Sequence, residues 1–334
     1  MRILIAEPYY EPDGGPAAPL FTMLCQELVR RGHQVTVLTA VPHYPTGKVP
    51  PEYRGWKTRR TIENGVRVIR VPLPSIDRTH LSQRLFQFLS YQIGAVIAGL
   101  KVDCDVFMTV TSSLEVWLPF IFFSILRRIP MVYSVHDVYP DTGIRLGIFK
   151  HQLIIKLITY MEQSCANHAR IVRILSQSFE EGMKRLGVPE TKIRLIYDWV
   201  DTELITPLPR QNDFAIEQGL VGSFVVLYAG NLGHSQGLEH VLGAARILAA
   251  EDIRFVFIGD GAARESLLEE TAALGLTNVT FLPFQPRARL PEVLATADVS
   301  LVILRQGMGL TIKTLLLRKL RLIPRVPVIL APRG

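Results

Sequence analysis

Four loops of this chain place glycine, polar or titratable residues directly after short apolar runs. The first loop holds Gly14 and Gly15, and another holds the adjacent pair His136 and Asp137. Two glycines ahead of a helix indicate a turn whose backbone amides attract phosphate, with a plain glycine turn as the alternative. A histidine at a strand end can move a proton or bond a sugar hydroxyl while a neighbouring carboxylate orients it, with a structural histidine as the alternative.

The other two loops lie in the C-terminal half and are rich in glycine. They contain Gly230, Gly233, Gly237, Gly259, Asp260 and Gly261. Small residues let a diphosphate approach backbone N–H groups closely. The spacing fits neither G-x-G-x-x-G nor G-x-x-x-x-G-K-[ST], which argues against a standard NAD site and against a P-loop. Backbone groups near Leu282 and Phe284, after the next apolar run, are candidates for holding a nucleotide base.

Short β-branched runs alternate with helix-length segments before these loops. The predicted strands are Ile3–Ala6, Val35–Thr39, Val66–Val71, Val106–Val110, Met131–Val135, Ile171–Leu175 and Ile193–Tyr197. This alternation predicts a parallel, doubly wound sheet. The apolar spacing of Pro16–Arg31, closed by Gly32, predicts the helix after the first strand. Because such sheets bind ligands outside the carboxyl ends of their strands, the four loops lie where chemistry is expected.

A stretch rich in proline and polar residues, 201–222, interrupts this alternation and is interpreted as a linker. Further strands and helices then follow: Phe224–Ala229, Gly237–Ala250, Phe255–Ile258, Ala263–Leu274, Val279–Leu282 and Val299–Leu304. The fold class is therefore predicted as α/β, with two Rossmann-like domains facing a cleft. Residues 1–200 form the first domain, 223–310 an incomplete second domain and 311–334 an aberrant basic tail.

The composition is that of an apolar globular protein, with 48% hydrophobic and 20% charged residues among 334. Its three cysteines, Cys25, Cys104 and Cys165, are far apart and form no CxxC pair, so neither a disulfide framework nor a zinc site is indicated. The first apolar run is too short for a secretory signal. These features favour the reducing cytoplasm.

Two apolar stretches, 85–100 and 116–126, raise the question of a membrane. Both are shorter than the roughly 20 residues that span a bilayer. They are interpreted as buried helices, and the alternative is contact with a membrane interface through Arg84, Arg127 and Arg128.

The formal charge of +7 comes almost entirely from the basic tail. Residues 311–334 contain six basic residues and no acidic one, and the rest of the chain has 31 basic against 30 acidic residues. The net charge therefore does not indicate a nucleic-acid partner.

Six segments in order resemble glycosyltransferase family 4, which has the GT-B fold. They are the double glycine, the His-Asp pair, IRLIYDWVD, YAGNLGHSQGLE, FIGDG and LPEVLATADVSLV. The resemblance covers residues 1 to about 310 and is strongest to bacterial exopolysaccharide enzymes of the colanic-acid type. It implies transfer of a sugar from a nucleoside diphosphate with retained anomeric configuration, without a required metal or other cofactor.

The resemblance also assigns roles to individual residues. Gly230, Asn231, Gln236 and Gly237 match the turn that stabilises the leaving diphosphate. His136 matches a histidine beside the donor sugar, and Gly15 matches the glycine loop. The implied acceptor is a lipid-linked saccharide, handled at the cytoplasmic face of the membrane with an anionic lipid surface as a further partner.

Three departures from the family pattern stand out. Many members have Arg and Lys at the positions of Asn231 and Gln236, so His234 and Lys313 become the candidate cations. Asp198 occupies a position where asparagine is usual. Members also continue with a serine-lysine pair and a Glu-x7-Glu pattern that residues 311–334 lack, so we expect a frameshifted or truncated product, or else a basic amphipathic end that binds anionic lipid.

Two other functions remain open on the sequence alone. A nucleotide-sugar epimerase of the same architecture would need further carboxylates beside His136. A non-catalytic fragment that binds a membrane or a partner enzyme would bind no nucleotide. Measuring the binding of UDP and GDP separates this fragment from both enzymes.

Overall fold

The computed structural model describes residues 1–303 except 16, 45, 78–79, 146–148 and 150. The chain divides into two compact units, the first spanning Met1–Trp199 and the second beginning at Val200. The basic tail and the candidate cation Lys313 lie outside the described residues.

The first unit is built on an eight-stranded sheet. Its strands are β1 (Arg2–Ala6), β2 (Gln34–Ala40), β3 (Arg59–Glu63), β4 (Val66–Val71), β5 (Val106–Val110), β6 (Met131–Val135), β7 (Ile171–Ile174) and β8 (Ile193–Leu195). Their order across the sheet is β3-β4-β2-β1-β5-β6-β7-β8. All neighbouring pairs are parallel except β3 with β4.

The antiparallel edge strand β3 is an addition that the sequence did not reveal. Its residues, RRTIE, are almost all exposed. The periodicity of a half-buried strand is therefore absent, and β3 exists because β4 offers it a pairing edge.

Helices cover both faces of this sheet. They are α1 (Ala18–Arg30), α2 (Leu81–Gly99), α3 (Ser113–Pro119), α4 (Asp141–Arg145), α5 (Gln152–His168) and α6 (Glu180–Arg185), and a π-helical segment, Phe120–Leu126, continues α3. Helix α1 buries Phe21 and Cys25, one turn apart, and is followed by Gly32 at φ 82°. The apolar spacing of this helix thus puts one face on the sheet, as predicted.

The stretch 85–100 forms most of α2, which buries only one of its faces. Tyr91 and Ala95 are buried, whereas Phe86 and Ile97 are 59% and 64% exposed. The second stretch behaves similarly, since Phe123 is fully buried and Leu126 is 67% exposed. No helix in the described part of the chain is long and apolar enough to cross a membrane.

The second unit contains a four-stranded parallel sheet of order β11-β10-β9-β12. The strands are β9 (Phe224–Ala229), β10 (Ile253–Ile258), β11 (Val279–Leu282) and β12 (Val299–Ser300). The helices are α7 (Asp213–Glu217), α8 (Glu239–Ile247), α9 (Arg264–Ala273) and α10 (Leu290–Thr296).

The stretch interpreted as a linker contributes to the core of the second unit. Asn212 caps α7 by accepting a hydrogen bond from the Ala215 amide at 3.1 Å, and Phe214 is buried against the sheet. Arg210 donates two hydrogen bonds to Asp298, at 2.7 and 2.6 Å. These contacts make the stretch a packed part of the second unit.

Candidate functional site

In the first unit, the loop after β1 is joined to the loop after β2 by one buried carboxylate. The Oδ1 atom of Asp13 accepts a hydrogen bond from the Gly15 amide at 2.7 Å, and Oδ2 accepts one from the His43 amide at 2.7 Å. The Nδ1 atom of His43 lies 3.0 Å from the Val41 carbonyl oxygen and 3.4 Å from Oδ2 of Asp13. Because both neighbours are acceptors, the ring proton belongs on Nδ1.

These contacts act on the pKa of Asp13 in opposite directions. Burial raises it, whereas the hydrogen bonds and charge of His43, with the amides of His43 and Gly15, lower it and prevail. The Gly15 N–H thus donates its hydrogen bond to the Asp13 carboxylate. The anion-binding role assigned to Gly14 and Gly15 stays a prediction, and other donors of this turn would have to supply it.

Gly15 has a steric role that the sequence did not reveal. A Cβ atom at this position would lie 2.8 Å from the Tyr9 ring. That ring stacks on His43 with centroids 5.2 Å apart and an interplanar angle of 19°. Gly15 therefore permits the aromatic stack beside Asp13, whereas Gly14 has only ordinary contacts with Tyr44.

Glu7, the residue after β1, is a buried acid that the sequence analysis missed. Its Oε1 atom accepts a hydrogen bond from the Tyr9 amide at 3.1 Å, and its Oε2 atom is buried without a hydrogen-bond partner among the described residues. Burial raises the pKa of Glu7 well above its usual value. Glu7 therefore prefers its protonated form, unlike Asp13 a few residues later.

The His-Asp pair follows β6 and is anchored to the end of β5. The hydroxyl of Thr111 accepts hydrogen bonds from the amides of His136 and Asp137, at 2.9 and 3.1 Å. The ring of the half-buried His136 lies 5.7 Å from that of Phe21 on α1, centroid to centroid. Backbone and ring contacts thus position His136 at the carboxyl end of the sheet.

The carboxyl group of Asp137 has an altered proton affinity. Desolvation raises the pKa of Asp137 to about 6. The side chain is nevertheless solvent-exposed, so water moderates the effect. At neutral pH this group is therefore mainly a carboxylate.

A buried guanidinium anchors the segment after β8. Arg173 donates hydrogen bonds to Ser134 Oγ at 2.9 Å and to Asp198 Oδ1 at 2.7 Å. It also lies 4.9 Å from the centroid of the Trp199 ring, and the Trp199 indole N–H donates to the Leu20 carbonyl at 3.1 Å. The aspartate that departs from the family pattern is thus the ion-pair partner of a buried arginine.

A second buried acid supports the loop before α3. Glu162 on α5 accepts hydrogen bonds from the Ser113 amide at 2.8 Å and from the Tyr133 hydroxyl at 2.6 Å. Burial raises its pKa, although the two donors oppose that effect. Glu162 therefore holds the backbone two residues beyond Thr111, the residue that anchors His136.

In the second unit, the turns after β9 and β10 interlock through their backbones. The Gly230 amide donates to the Ile258 carbonyl at 2.9 Å, and the Leu232 amide donates to the Asp260 carbonyl at 2.9 Å. Gly259 and Gly261 adopt φ values of 141° and 159°. A Cβ on Gly259 would overlap the Gly230 carbonyl oxygen.

Gly261 is equally restricted, since its Cβ would lie 2.5 Å from the Leu232 oxygen. The Gly259 amide donates to the Leu282 carbonyl at 3.0 Å, which joins the turn after β11 to the other two. The structure thus brings Gly230, Gly259, Asp260, Gly261 and Leu282 together at the carboxyl edge of the second sheet. The side chain of Phe284 is 58% exposed beside them.

The loop leading into α8 presents polar groups close to these turns. Asn231 and His234 are exposed, and the Oε1 atom of Gln236 accepts a hydrogen bond from the Ser235 hydroxyl at 3.1 Å. Gly237 adopts a left-handed conformation, φ 66° and ψ 39°, and α8 begins two residues later. In the first turn of α8 the amides of His240 and Val241 donate to the carbonyls of Gly237 and Leu238, at 3.2 and 2.9 Å, so an anion at this loop would need other donors.

Sequence signals existed for some of the residues that were missed. Asp13 directly precedes the double glycine, a common sequence for a turn, and Arg173 interrupts the apolar strand IVRI. In the described residues no group of three or more His, Cys, Asp or Glu side chains could hold a metal ion.

Comparison with known proteins gives matches to both units. Residues 15–199 match the family model of the glycosyl transferase 4-like domain, and residues 210–312 match that of the glycosyl transferases group 1. One relative, a protein of Escherichia coli K12 named as the colanic acid biosynthesis glycosyl transferase WcaI, is 26% identical over 92% of this chain and 77% of its own.

Solved structures resemble the fold as well. A sucrose-phosphate synthase from Thermosynechococcus elongatus has a TM-score of 0.70 at 16% identity, covering 90% of this chain and 75% of its own. HepE of Anabaena, in complex with UDP and glucose, has a TM-score of 0.63 at 18% identity, covering 90% of this chain and 73% of its own. At such identities these two likenesses show the fold alone.

Proposed function

The chain belongs to the glycosyltransferases of the GT-B fold, and from that premise we propose that it moves a hexosyl group from a nucleoside-diphosphate sugar to a lipid-linked or saccharide acceptor. We propose that the anomeric configuration is retained and that the product is a cell-surface polysaccharide. The observation that carries the donor class is the set of interlocked turns after β9, β10 and β11, of which the first two contain glycine.

Loss of a nucleoside diphosphate leaves negative charge on the departing oxygen, and preorganised N–H groups stabilise such charge. Asn231, Gln236 and Gly237 lie on one loop before α8 and would supply donors for this role. His234, which is exposed on the same loop, would add a cation when protonated. The backbone near Leu282 would take the base.

The first unit would supply the acceptor side and the contact to the transferred sugar. Thr111 holds the backbone of His136 and Asp137 through two hydrogen bonds, so the imidazole has a defined position. It would bond a hydroxyl of the donor sugar or move a proton, with the Asp137 carboxylate beside it. Two matched proteins agree with this proposal. One is named as a colanic acid biosynthesis glycosyl transferase, and the solved structure of the other contains UDP and glucose.

Binding to a membrane surface would bring the enzyme to a lipid-linked acceptor. Helix α2 exposes one apolar stripe, formed by Leu85, Leu89, Ile93 and Ile97 at four-residue spacing. Residues 81–101 contain Arg84 and Lys101 and no acidic residue. We propose that this stripe lies on an anionic bilayer at the cytoplasmic face, because apolar area and positive charge together favour that surface.

Calorimetric titration with UDP and GDP tests the donor class. We expect one of the two to bind and His234→Ala to weaken that binding by about tenfold at pH 6, whereas the control Arg246→Ala, which removes an exposed cation from the other end of α8, leaves it unchanged. Absence of binding at millimolar nucleotide would instead support the inert fragment. The matches described above do not support the epimerase alternative.

Transfer of radiolabelled sugar tests the role of His136. We expect His136→Ala to lower kcat by about 100-fold, and the control His33→Ala, a half-buried histidine of the same unit, to leave it unchanged. An equal loss in both variants would contradict this role. Excess EDTA should leave the rate unchanged, because we propose a reaction that uses no metal or other cofactor.

A further inference from the structure

A cavity of about 700 Å³ opens at the edge of the first sheet opposite His136. Met131 is the first residue of β6, and Arg170 and Lys192 directly precede β7 and β8, so the cavity lies at the amino ends of these strands. Five residue steps separate Met131 from His136, a distance of about 16 Å along a strand. The cavity is therefore remote from the groups assigned to sugar transfer.

The cavity is lined by cations and not by acids. Its described lining contains Arg128, His168, Arg170 and Lys192, and no aspartate or glutamate. The ion pairs at this edge, Arg127 with Asp103 and Arg2 with Asp105, use other arginines. The cavity therefore has an excess of positive charge at neutral pH.

Several of its walls are held in place by hydrogen bonds. The Lys192 ammonium donates to the Asn167 carbonyl at 2.6 Å, which leaves its other N–H donors for a ligand. The Nε2 atom of His168 lies 3.3 Å from the Ser124 carbonyl, and the Ser124 hydroxyl donates to the Ile129 carbonyl at 3.2 Å. The cations thus surround a defined cavity.

Arg128 adds an independent observation. It is one of two non-glycine residues with positive φ in the described chain, at 57°. Glycine adopts this conformation without the steric cost that arginine incurs. The chain therefore has a cation at a position where local backbone geometry favours glycine.

We propose that this cavity binds the phosphate group of a small polar phosphate ester. Arginine and lysine are the side chains that recognise phosphate, and the volume falls in the range of small-molecule sites. The ester is either an anionic phospholipid headgroup or a soluble sugar or glycerol phosphate. Exposed Ile125 and Leu126 at the rim, 40% and 67% exposed, favour the lipid source.

The test uses the full chain with two probes, glycerol phosphate in solution and vesicles of phosphatidylcholine containing one-third phosphatidylglycerol. The cavity variant is Arg128→Gly with Arg170→Gln. Arg128→Gly removes a cation and relieves backbone strain, so loss of folding is not expected. The control is Arg67→Gln with Arg254→Gln, which removes the same charge from exposed strand positions. A thermal melt of each variant checks folding.

We expect the cavity variant to bind the vesicles at least about tenfold more weakly than the control. Loss of binding to both probes, or to vesicles alone, supports a phospholipid ligand. Loss of glycerol phosphate binding alone supports a soluble ester. Equal binding by cavity variant and control, or no binding of either probe by the wild type, overturns the proposal. Because neither assay includes sugar transfer and both variants retain the apolar stripe of α2, a difference between the two variants is independent of the proposed function.

Discussion

The strand ends of the two units are held in place by different means. In the first unit, buried charged side chains connect neighbouring loops, as Asp13 connects the turns after β1 and β2. In the second unit, the turns after β9 and β10 touch through their backbones, and Gly259 and Gly261 leave the room for that contact. The first arrangement depends on charge and protonation, and the second depends on close backbone approach and on backbone hydrogen bonds.

This difference corresponds to what each unit presents. The first unit positions side chains such as His136 by fastening the backbone around them. The second unit brings glycine turns together through backbone hydrogen bonds, and we propose that a diphosphate binds beside these small residues. Substitutions that add atoms should therefore damage the second unit most, and substitutions that remove charge should damage the first.

The largest expected effect is that of Gly259→Ala. The new methyl group would overlap the Gly230 carbonyl at a φ of 141°, so the second unit should lose about 4 kcal/mol or more in its free energy of unfolding. Urea unfolding followed by fluorescence measures this. The control Gly243→Ala, at an exposed helical position with nothing within 4 Å, should gain about 1 kcal/mol. Similar values for both would show that the glycine contact is not restrictive.

Arg173→Ala should have the next largest effect. Removing the guanidinium leaves Asp198 without its ion pair and Ser134 without its donor, at an estimated cost of about 3 kcal/mol to the first unit. Arg185→Ala removes an exposed arginine paired with Asp141 and should cost less than about 1 kcal/mol. Comparison of the two denaturation midpoints tests whether burial gives the pair its importance. Equal losses would contradict that view.

Asp13→Asn should have a smaller effect on stability, and the size of that effect should depend on pH. The folded-state pKa of Asp13 is below its ordinary value, so the carboxylate stabilises the fold at neutral pH and loses that contribution as pH falls through the folded pKa. The stability difference between wild type and variant should therefore shrink below about pH 4. Thermal melts from pH 3 to pH 7 measure it. A constant difference would show that the carboxylate charge does not contribute.

Glu7→Gln should have an effect of the opposite sign. Burial raises the folded-state pKa of Glu7, so ionisation destabilises the wild type as pH rises above the ordinary value of a glutamate. The amide of glutamine cannot ionise and retains an oxygen acceptor for the Tyr9 amide. The variant should thus gain relative stability from pH 5 to pH 8 in the same melts. A relative loss would indicate that Glu7 is charged in the folded protein.

Most strands were predictable because each needs only a local apolar pattern, and the exposed β3 was the exception. Met131–Val135 and Phe224–Ala229 have the predicted bounds, since strands of a parallel sheet are rich in apolar residues. The candidate turns at Gly230 and Gly259 were recognisable for a related reason. Glycine is the residue that tolerates close backbone approach, so its presence after a strand is itself a signal.

The charged contacts were not predictable because their partners are distant in the chain. Asp13 bonds the amide of His43, 30 residues away, and Glu162 bonds that of Ser113, 49 residues away. A charged residue has the same letter in the sequence whether water or protein surrounds it, and only the packed chain decides which. The exposed apolar stripe of α2 was hidden for the same reason, because periodicity shows an apolar face but not whether another element covers it.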